Sequence, residues 1–345
     1  MKKFICKSIL FCFLMVALIG CTAAFITFGL PIQFHNTYQH ALSVQYDSLR
    51  RMRSPKVVIM GDSAVPFSLN ASLMEKKIGM PVQTLGIHSG TGLEYILNLS
   101  KANIQKGDIM VVELEPSTED SFSPGIVLTA CENNFSMYRY FSSSDWRKVA
   151  LYYPSYLIKK LKYCMNIRDG QTPAYNGNSF DRNGNYDYYR GSCTLPRHLS
   201  LNKANEKTTF NRKEYSGQFL SFLNDYNRYC RERGATFLIS FPPYLNESLQ
   251  SSAHDIDDLQ RSLSQQLDAP IITKIADRKY PRRYIYNNIA HCNSAGADAA
   301  TKQLAREITI YLRKHNQERK PFRQNAAPAN GRKPLGNGWQ ITFPV

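Results

Sequence analysis

The run Val57-Val58-Ile59-Met60, closed by Gly61-Asp62-Ser63, constrains the fold more than any other stretch of this chain. Three β-branched residues and a methionine stopped by a turn read as a strand buried on both faces, and such strands occur in parallel sheets covered by helices. The same alternation recurs downstream. Lys56 to Met60 is a predicted strand, Leu73 to Ile78 a short helix, Val82 to Ile87 a strand, Gly92 to Ile104 a helix, and Asp108 to Glu115 a strand after the Lys106-Gly107 turn. The pattern stops at Pro116 and resumes near Glu214. Ser216 to Arg233 then reads as a helix with Ser216 as N-cap, Ala235 to Phe241 as a strand ended by Pro242-Pro243, Ser251 to Leu267 as a helix, and Pro270 to Ile275 as a fifth strand. Ala300, Leu304, Ile308 and Leu312, spaced by four, give the closing helix Ser294 to Arg313 its apolar stripe. Repeated βα units predict an α/β fold with helices on both faces of a mostly parallel sheet.

The amino terminus imposes a second constraint. No Asp, Glu, Lys or Arg occurs between Ser8 and Tyr46, and Ile9 to Leu30 is apolar over the ~20 residues that a spanning helix needs. Lys2, Lys3 and Lys7 precede it, which places the amino terminus in the cytoplasm and exports the chain beyond Leu30. A cleaved secretory signal is one alternative; processing and acylation as a lipoprotein at Cys21, within Leu18-Ile19-Gly20-Cys21, is another. The apolar run continues past Cys21 through Phe25, Ile26, Phe28 and Leu30, which favours the uncleaved single-pass helix.

The expected organisation is therefore a membrane anchor over 1–30, a juxtamembrane linker over 31–55, an α/β domain over 56–315 and a tail over 316–345. The tail carries Arg319, Lys320, Arg323, Arg332 and Lys333 against Glu318, with the composition of a disordered segment. An insertion over about 117–210 interrupts the domain and holds ten of the 21 tyrosines, including Tyr152, Tyr153, Tyr156, Tyr186, Tyr188 and Tyr189. These rings suit sugar recognition or a lid over a site; packing of a small subdomain is the alternative.

Cys6, Cys12 and Cys21 lie in the apolar segment, and Cys131, Cys164, Cys193, Cys230 and Cys292 have no metal-site spacing. One bridge within the 131–193 region and buried free thiols are the two readings. A net charge of +16 in an exported chain points to an anionic envelope polymer or lipid head group rather than nucleic acid.

Ser63 falls at the carboxyl edge of the sheet, where open α/β folds place their sites. Such a serine needs a base, and His291, just before the last helix, is the candidate. Gly61-Asp62-Ser63, the glycine-rich Ile87-His88-Ser89-Gly90 and Asn288-Ile289-Ala290-His291, in that order, resemble the SGNH/GDSL hydrolases, especially membrane-anchored envelope members that act on, or assist acylation of, cell-surface polymers. The resemblance covers Lys56 to Ser117 and Gly234 to Arg313. It implies a flavodoxin-like three-layer α/β/α arrangement around a mostly parallel five-stranded sheet.

It also implies Ser63 as nucleophile, His291 as base and Gly90, or Gly86, as an oxyanion donor. Two positions depart from the family. Ser117 stands where an asparagine usually donates to the oxyanion, and Asn288, or Asn287 beside it, stands where an aspartate usually orients the histidine. Losing one oxyanion donor costs about 100 to 1000-fold, and an Asp to Asn change in a serine-protease triad about 10⁴-fold.

Glu113 and Glu115 share a strand face, where pairing with an arginine such as Arg282 or Arg283 is the favoured reading and reaching the site the alternative. Asp62 is expected to fix its own turn, and His88 to support the site rather than react. The resulting expectation is an esterase or O-acyltransferase acting on acyl, chiefly acetyl, esters of envelope polysaccharide, with no metal or organic cofactor. The alternative is a non-catalytic scaffold that binds glycopolymer or assists a membrane O-acyltransferase.

Overall fold

The computed structural model describes residues 1–116, 121–167, 176–181, 183–187, 208–211 and 213–315. Its four-stranded sheet is built from β1 (Val57–Met60), β2 (Val82–Leu85), β3 (Ile109–Glu113) and β4 (Thr236–Ser240), all parallel, in the order β2-β1-β3-β4. Because β2 and β3 lie on opposite sides of β1, the strand order reverses there. The carboxyl ends of β1 and β3 thus flank the position where open sheets form a crevice.

The helices in chain order are α1 (Lys2–Ala24), α2 (Ala41–Arg51), α3 (Ala64–Ser68), α4 (Ala71–Ile78), α5 (Leu93–Ser100), α6 (Pro124–Ala130), α7 (Ser143–Cys164), α8 (Gly217–Glu232), α9 (Ala253–Gln266) and α10 (Ser294–Lys314). Strand alternation divides the sheet between two apolar clusters. Val57, Ile59, Val111 and Leu238 pack with Met74 of α4 and Leu304 and Ile308 of α10. Val58, Met60, Val112 and Phe237 pack with Ile96 of α5 and Leu223 and Tyr226 of α8. Burying each such side chain stabilises by about 1.5–3 kcal/mol. At the opposite end of the sheet, Lys56 Nζ and Asp108 Oδ2 form a fully buried pair at 2.6 Å, with Ser54 and the Gln105 N–H completing its hydrogen bonds.

Two expectations differ from what is observed, and one element is new. The fifth strand is reduced to one parallel bridge, Ile239 to Ile271, flanked by Ile239 N–H donating to Pro270 and Ile272 N–H donating to Ile239. A separate two-stranded parallel sheet pairs β5 (Tyr244–Leu245) with β6 (Lys279–Tyr280). The 31–55 stretch is not a bare linker, because α2 buries Leu42, Tyr46 and Leu49 in the core.

The insertion packs against the same core. Val127 and Leu128 of α6 and Tyr156 and Tyr163 of α7 join the cluster on one face of the sheet. Tyr188, Tyr189, Cys193, Ser117 and the basic tail lie outside the described residues. Cys131 and Cys164 are free thiols, the first buried and the second exposed. The helical stretch Lys2–Gly29, 28 residues, is long and apolar enough to cross a membrane.

Candidate active site

β1 ends at Met60, and the chain turns through Gly61 and Asp62 into α3. The Asp62 carboxylate accepts from the Ala64 N–H at 2.8 Å within this turn. Ser63 is the N-cap of α3 and remains half-buried at the sheet edge. The loop after β2 closes against the same turn. A Cβ at Gly86 would lie 2.4 Å from the Gly61 carbonyl oxygen, so this close approach requires glycine.

Ser63 Oγ lies 3.0 Å from His291 Nε2, and His291 Nδ1 lies 2.9 Å from Asn287 Oδ1. An amide oxygen only accepts, so His291 carries its proton on Nδ1 and its Nε2 lone pair receives the Ser63 O–H. The orienting residue is therefore Asn287, not Asn288. Asn288 instead shapes the turn, its side chain accepting from Ala290 N–H at 3.2 Å and its carbonyl from His291 N–H at 3.1 Å.

The histidine loop is held from several sides. Ser68 Oγ donates to the Ala290 carbonyl at 2.6 Å, and Tyr286 N–H donates to the His291 carbonyl at 2.8 Å. The Phe67 ring stacks on the imidazole with centroids 4.1 Å apart and planes 7° apart. Tyr186, from the insertion, stacks on Phe67 at 4.2 Å and reaches Tyr286 hydroxyl to hydroxyl at 3.3 Å. Asn293 caps α10 through the Gly296 N–H, and a Cβ at Gly296 would sit 2.2 Å from the Tyr284 carbonyl oxygen. The helix start and the loop that carries His291 are thus in direct backbone contact.

Burial pushes the His291 imidazole down to about 3, and nearby His88 acts in the same direction. The ring is neutral, and no carboxylate stands among the groups acting on it. The acids act on one another instead. Glu115 is raised well above the carboxylate range by burial and by the charge and hydrogen bond of Asp62, while burial raises Glu113 to about 7 against the opposing pull of Arg278.

Asp62, Glu113 and Glu115 line a void of ≈ 10 Å³, about the room one water needs. Glu113 has Arg278 Nη2 at 4.0 Å, rather than the expected Arg282 or Arg283; Arg282 pairs with Glu247 at 2.6 Å. Among the described residues, no group of three or more His, Cys, Asp or Glu could hold a metal ion.

The glycine donors are not aimed at an oxyanion here. The Gly90 N–H donates to His88 Nδ1 at 2.8 Å, and the Gly86 N–H donates to Gln45 Oε1 at 3.0 Å. His88 thus occupies the donor assigned to Gly90, and its own basicity is lowered by burial against the opposing charge of Asp62. The Ser63 N–H meets no acceptor among the described residues.

Phe67, Ser68 and Gln45 were not signalled by the sequence, and Tyr186 was singled out only as one of the insertion's rings. Gln45 comes from α2 and also donates to the carbonyls of Gly86 and Gly184, tying the second loop to the insertion. The four-residue offset of Phe67 from Ser63 is the one signal that could have placed it on the same helical turn.

Fold and site together describe an α/β protein with a serine and a neutral histidine paired at a sheet edge, behind an apolar helix. No family model matches this chain, and no curated protein does. Among solved structures, protein YxiM from Bacillus subtilis aligns at TM-score 0.35 and 13% identity over 77% of this chain. This chain spans 58% of that protein's length.

Proposed function

We propose that this protein is a membrane-anchored, exported serine esterase or O-acyltransferase of the SGNH type. The observation that carries the reading is the hydrogen-bonded series Ser63, His291, Asn287, with the imidazole in the tautomer a general base needs. Ser63 Oγ attacks the ester carbonyl while His291 Nε2 takes the serine proton. The imidazolium then protonates the departing alcohol. Water, or an acceptor hydroxyl in the transfer reaction, is deprotonated by His291 and releases the acyl group from Ser63. The Ser63 N–H serves the oxyanion directly, and Gly90 joins it when its N–H turns away from His88.

The substrate class is acyl, chiefly acetyl, ester on a cell-envelope polysaccharide. The basic balance of the chain, +16 over its whole length, supports an anionic polymer partner, and none of the steps requires a metal or organic cofactor.

A second reading is favoured by a specific set of observations. Asn287 supplies no charge to balance an imidazolium, His291 is held near 3, and the Gly90 and Gly86 N–H groups are both engaged. A scaffold that binds glycopolymer, or supports a membrane O-acyltransferase, needs none of these groups poised for reaction.

Acetate release from O-acetylated polysaccharides by the full-length protein in bilayers separates the two readings. The enzyme reading expects release that Ser63→Ala abolishes. Polymer binding without release, unchanged in Ser63→Ala, would establish the scaffold.

A further inference from the structure

The helix α7 is amphipathic in the reverse sense. Its buried face holds Asp145, Val149, Tyr156, Lys160 and Tyr163, two of them charged. Its outward face carries an apolar stripe: Leu151, Pro154, Ile158, Leu161 and, just past the helix end, Met165. At about 3.6 residues per turn these positions, three or four apart, fall on one side of the helix. Leu151 is 81% exposed, Ile158 56% and Met165 62%. Exposed Arg147 and Lys162 accompany the stripe. Among the described residues nothing covers it, and an apolar stripe of this length on a water-facing helix marks an interaction surface.

The end of the apolar N-terminal helix lies against this same element. The Thr27 hydroxyl bonds the Tyr153 hydroxyl, and Lys160 Nζ donates to the Thr27 carbonyl at 3.1 Å. Lys160 in turn meets Glu132 Oε1 at 3.0 Å, while Glu132 Oε2 accepts the N–H groups of Gln33 and Phe34 at 2.8 and 2.6 Å. Phe28 packs on Phe135 at 5.2 Å, Phe135 meets Tyr138 edge-on at 5.7 Å, and both phenylalanine rings remain exposed in large part. A spanning helix that starts at Lys2 brings Thr27 to the head-group level on the far side of the bilayer. Side chains bonded to Thr27 share that level.

We infer that α7 lies on the outer leaflet of the membrane, its Leu151–Met165 stripe inserted at the acyl boundary and Arg147 and Lys162 among anionic head groups. An apolar stripe with basic residues alongside is the pattern of helices that lie in the interface plane. The inference rests on α1 spanning the bilayer and is independent of the chemistry at Ser63. It makes the domain a surface-hugging body rather than one tethered on a loose stalk.

Tryptophan quenching by brominated lipid tests this in the full-length chain, reconstituted in vesicles of equal parts phosphatidylcholine and phosphatidylglycerol. In a background of Trp146→Phe and Trp339→Phe, single reporters are placed by Ile158→Trp, Leu151→Trp, Leu14→Trp in α1 and Gln265→Trp on α9. The inference expects strong quenching at 14, clear quenching at both 158 and 151, and none at 265. Quenching at 14, with 158 and 151 no more quenched than 265, overturns the lipid-facing helix and leaves the spanning helix standing. No quenching at 14 overturns both. Blue-shifted but unquenched emission at 158 and 151 also overturns it, because protein rather than lipid would then cover the stripe.

Discussion

In the proposed mechanism, Asn287 governs how much base chemistry His291 retains. Its Oδ1 holds the imidazole in the productive tautomer at 2.9 Å, but the residue is solvent-exposed and carries no charge to stabilise an imidazolium. Burial holds His291 down to about 3, so the base form is fully populated throughout the neutral range. Protonation of this group inactivates it only on the acid side, and the acid limb of kcat/KM should fall far below the ordinary imidazole value of 6.5. Asn287→Asp would place an anion beside Nδ1, favouring the charged ring. We expect kcat/KM to rise by about 100-fold or more and the acid limb to move upward. A pH–rate profile of both proteins reads the two effects together; an unchanged profile would show that Asn287 does not act through His291.

At the scale of the element, five-residue α3 organises the site: Ser63 caps it, Phe67 stacks on the imidazole, and Ser68 holds the Ala290 carbonyl. Phe67→Ala should cost about 3–5 kcal/mol of stability in chemical denaturation. It should also lower kcat more than it raises KM, because the base loses its support while the substrate surface remains. Phe67→Tyr, which keeps the ring, should restore most of both. None of this was legible in Ala64-Val65-Pro66-Phe67-Ser68, which is too short for a periodic signal. β1 was legible as an uninterrupted apolar run, β3 as one closed by Glu113, and β2 and β4 through the turn residues around them, Pro81 and Gly86 for the first and Gly234 and Pro242 for the second; α8, α9 and α10 were legible because their stripes and N-caps are local. The fifth strand was overread: Pro270 offers a carbonyl but no N–H, and the pairing stops at one bridge. Leu42, Tyr46 and Leu49 have helical spacing, yet α2 was hidden by the charge-free run before it. Ser63 and His291 could be paired from residue type and position in the fold. The choice between Asn287 and Asn288, and the capture of the Gly90 N–H by His88, depend on loop dihedrals that have no sequence period.

For the whole molecule, the junction between the apolar helix and the domain rests on a buried charge pair. Lys160 and Glu132 have no exposed side-chain surface, and Glu132 also caps the N–H groups of Gln33 and Phe34. Lys160→Met would leave the carboxylate buried without its cation. We expect a loss of about 3–5 kcal/mol, seen as a lower Tm of the full-length protein in detergent, with acetate release per folded molecule unchanged. An unchanged Tm would mean that the junction is not held by this pair. The central claim, that a serine behind this anchor is activated by a histidine, is tested most directly by labelling the full-length protein in its membrane with a fluorophosphonate probe. The account predicts labelling of the wild type that is lost in both Ser63→Ala and His291→Ala. Absence of labelling in correctly folded wild type, or its persistence in Ser63→Ala, would contradict it.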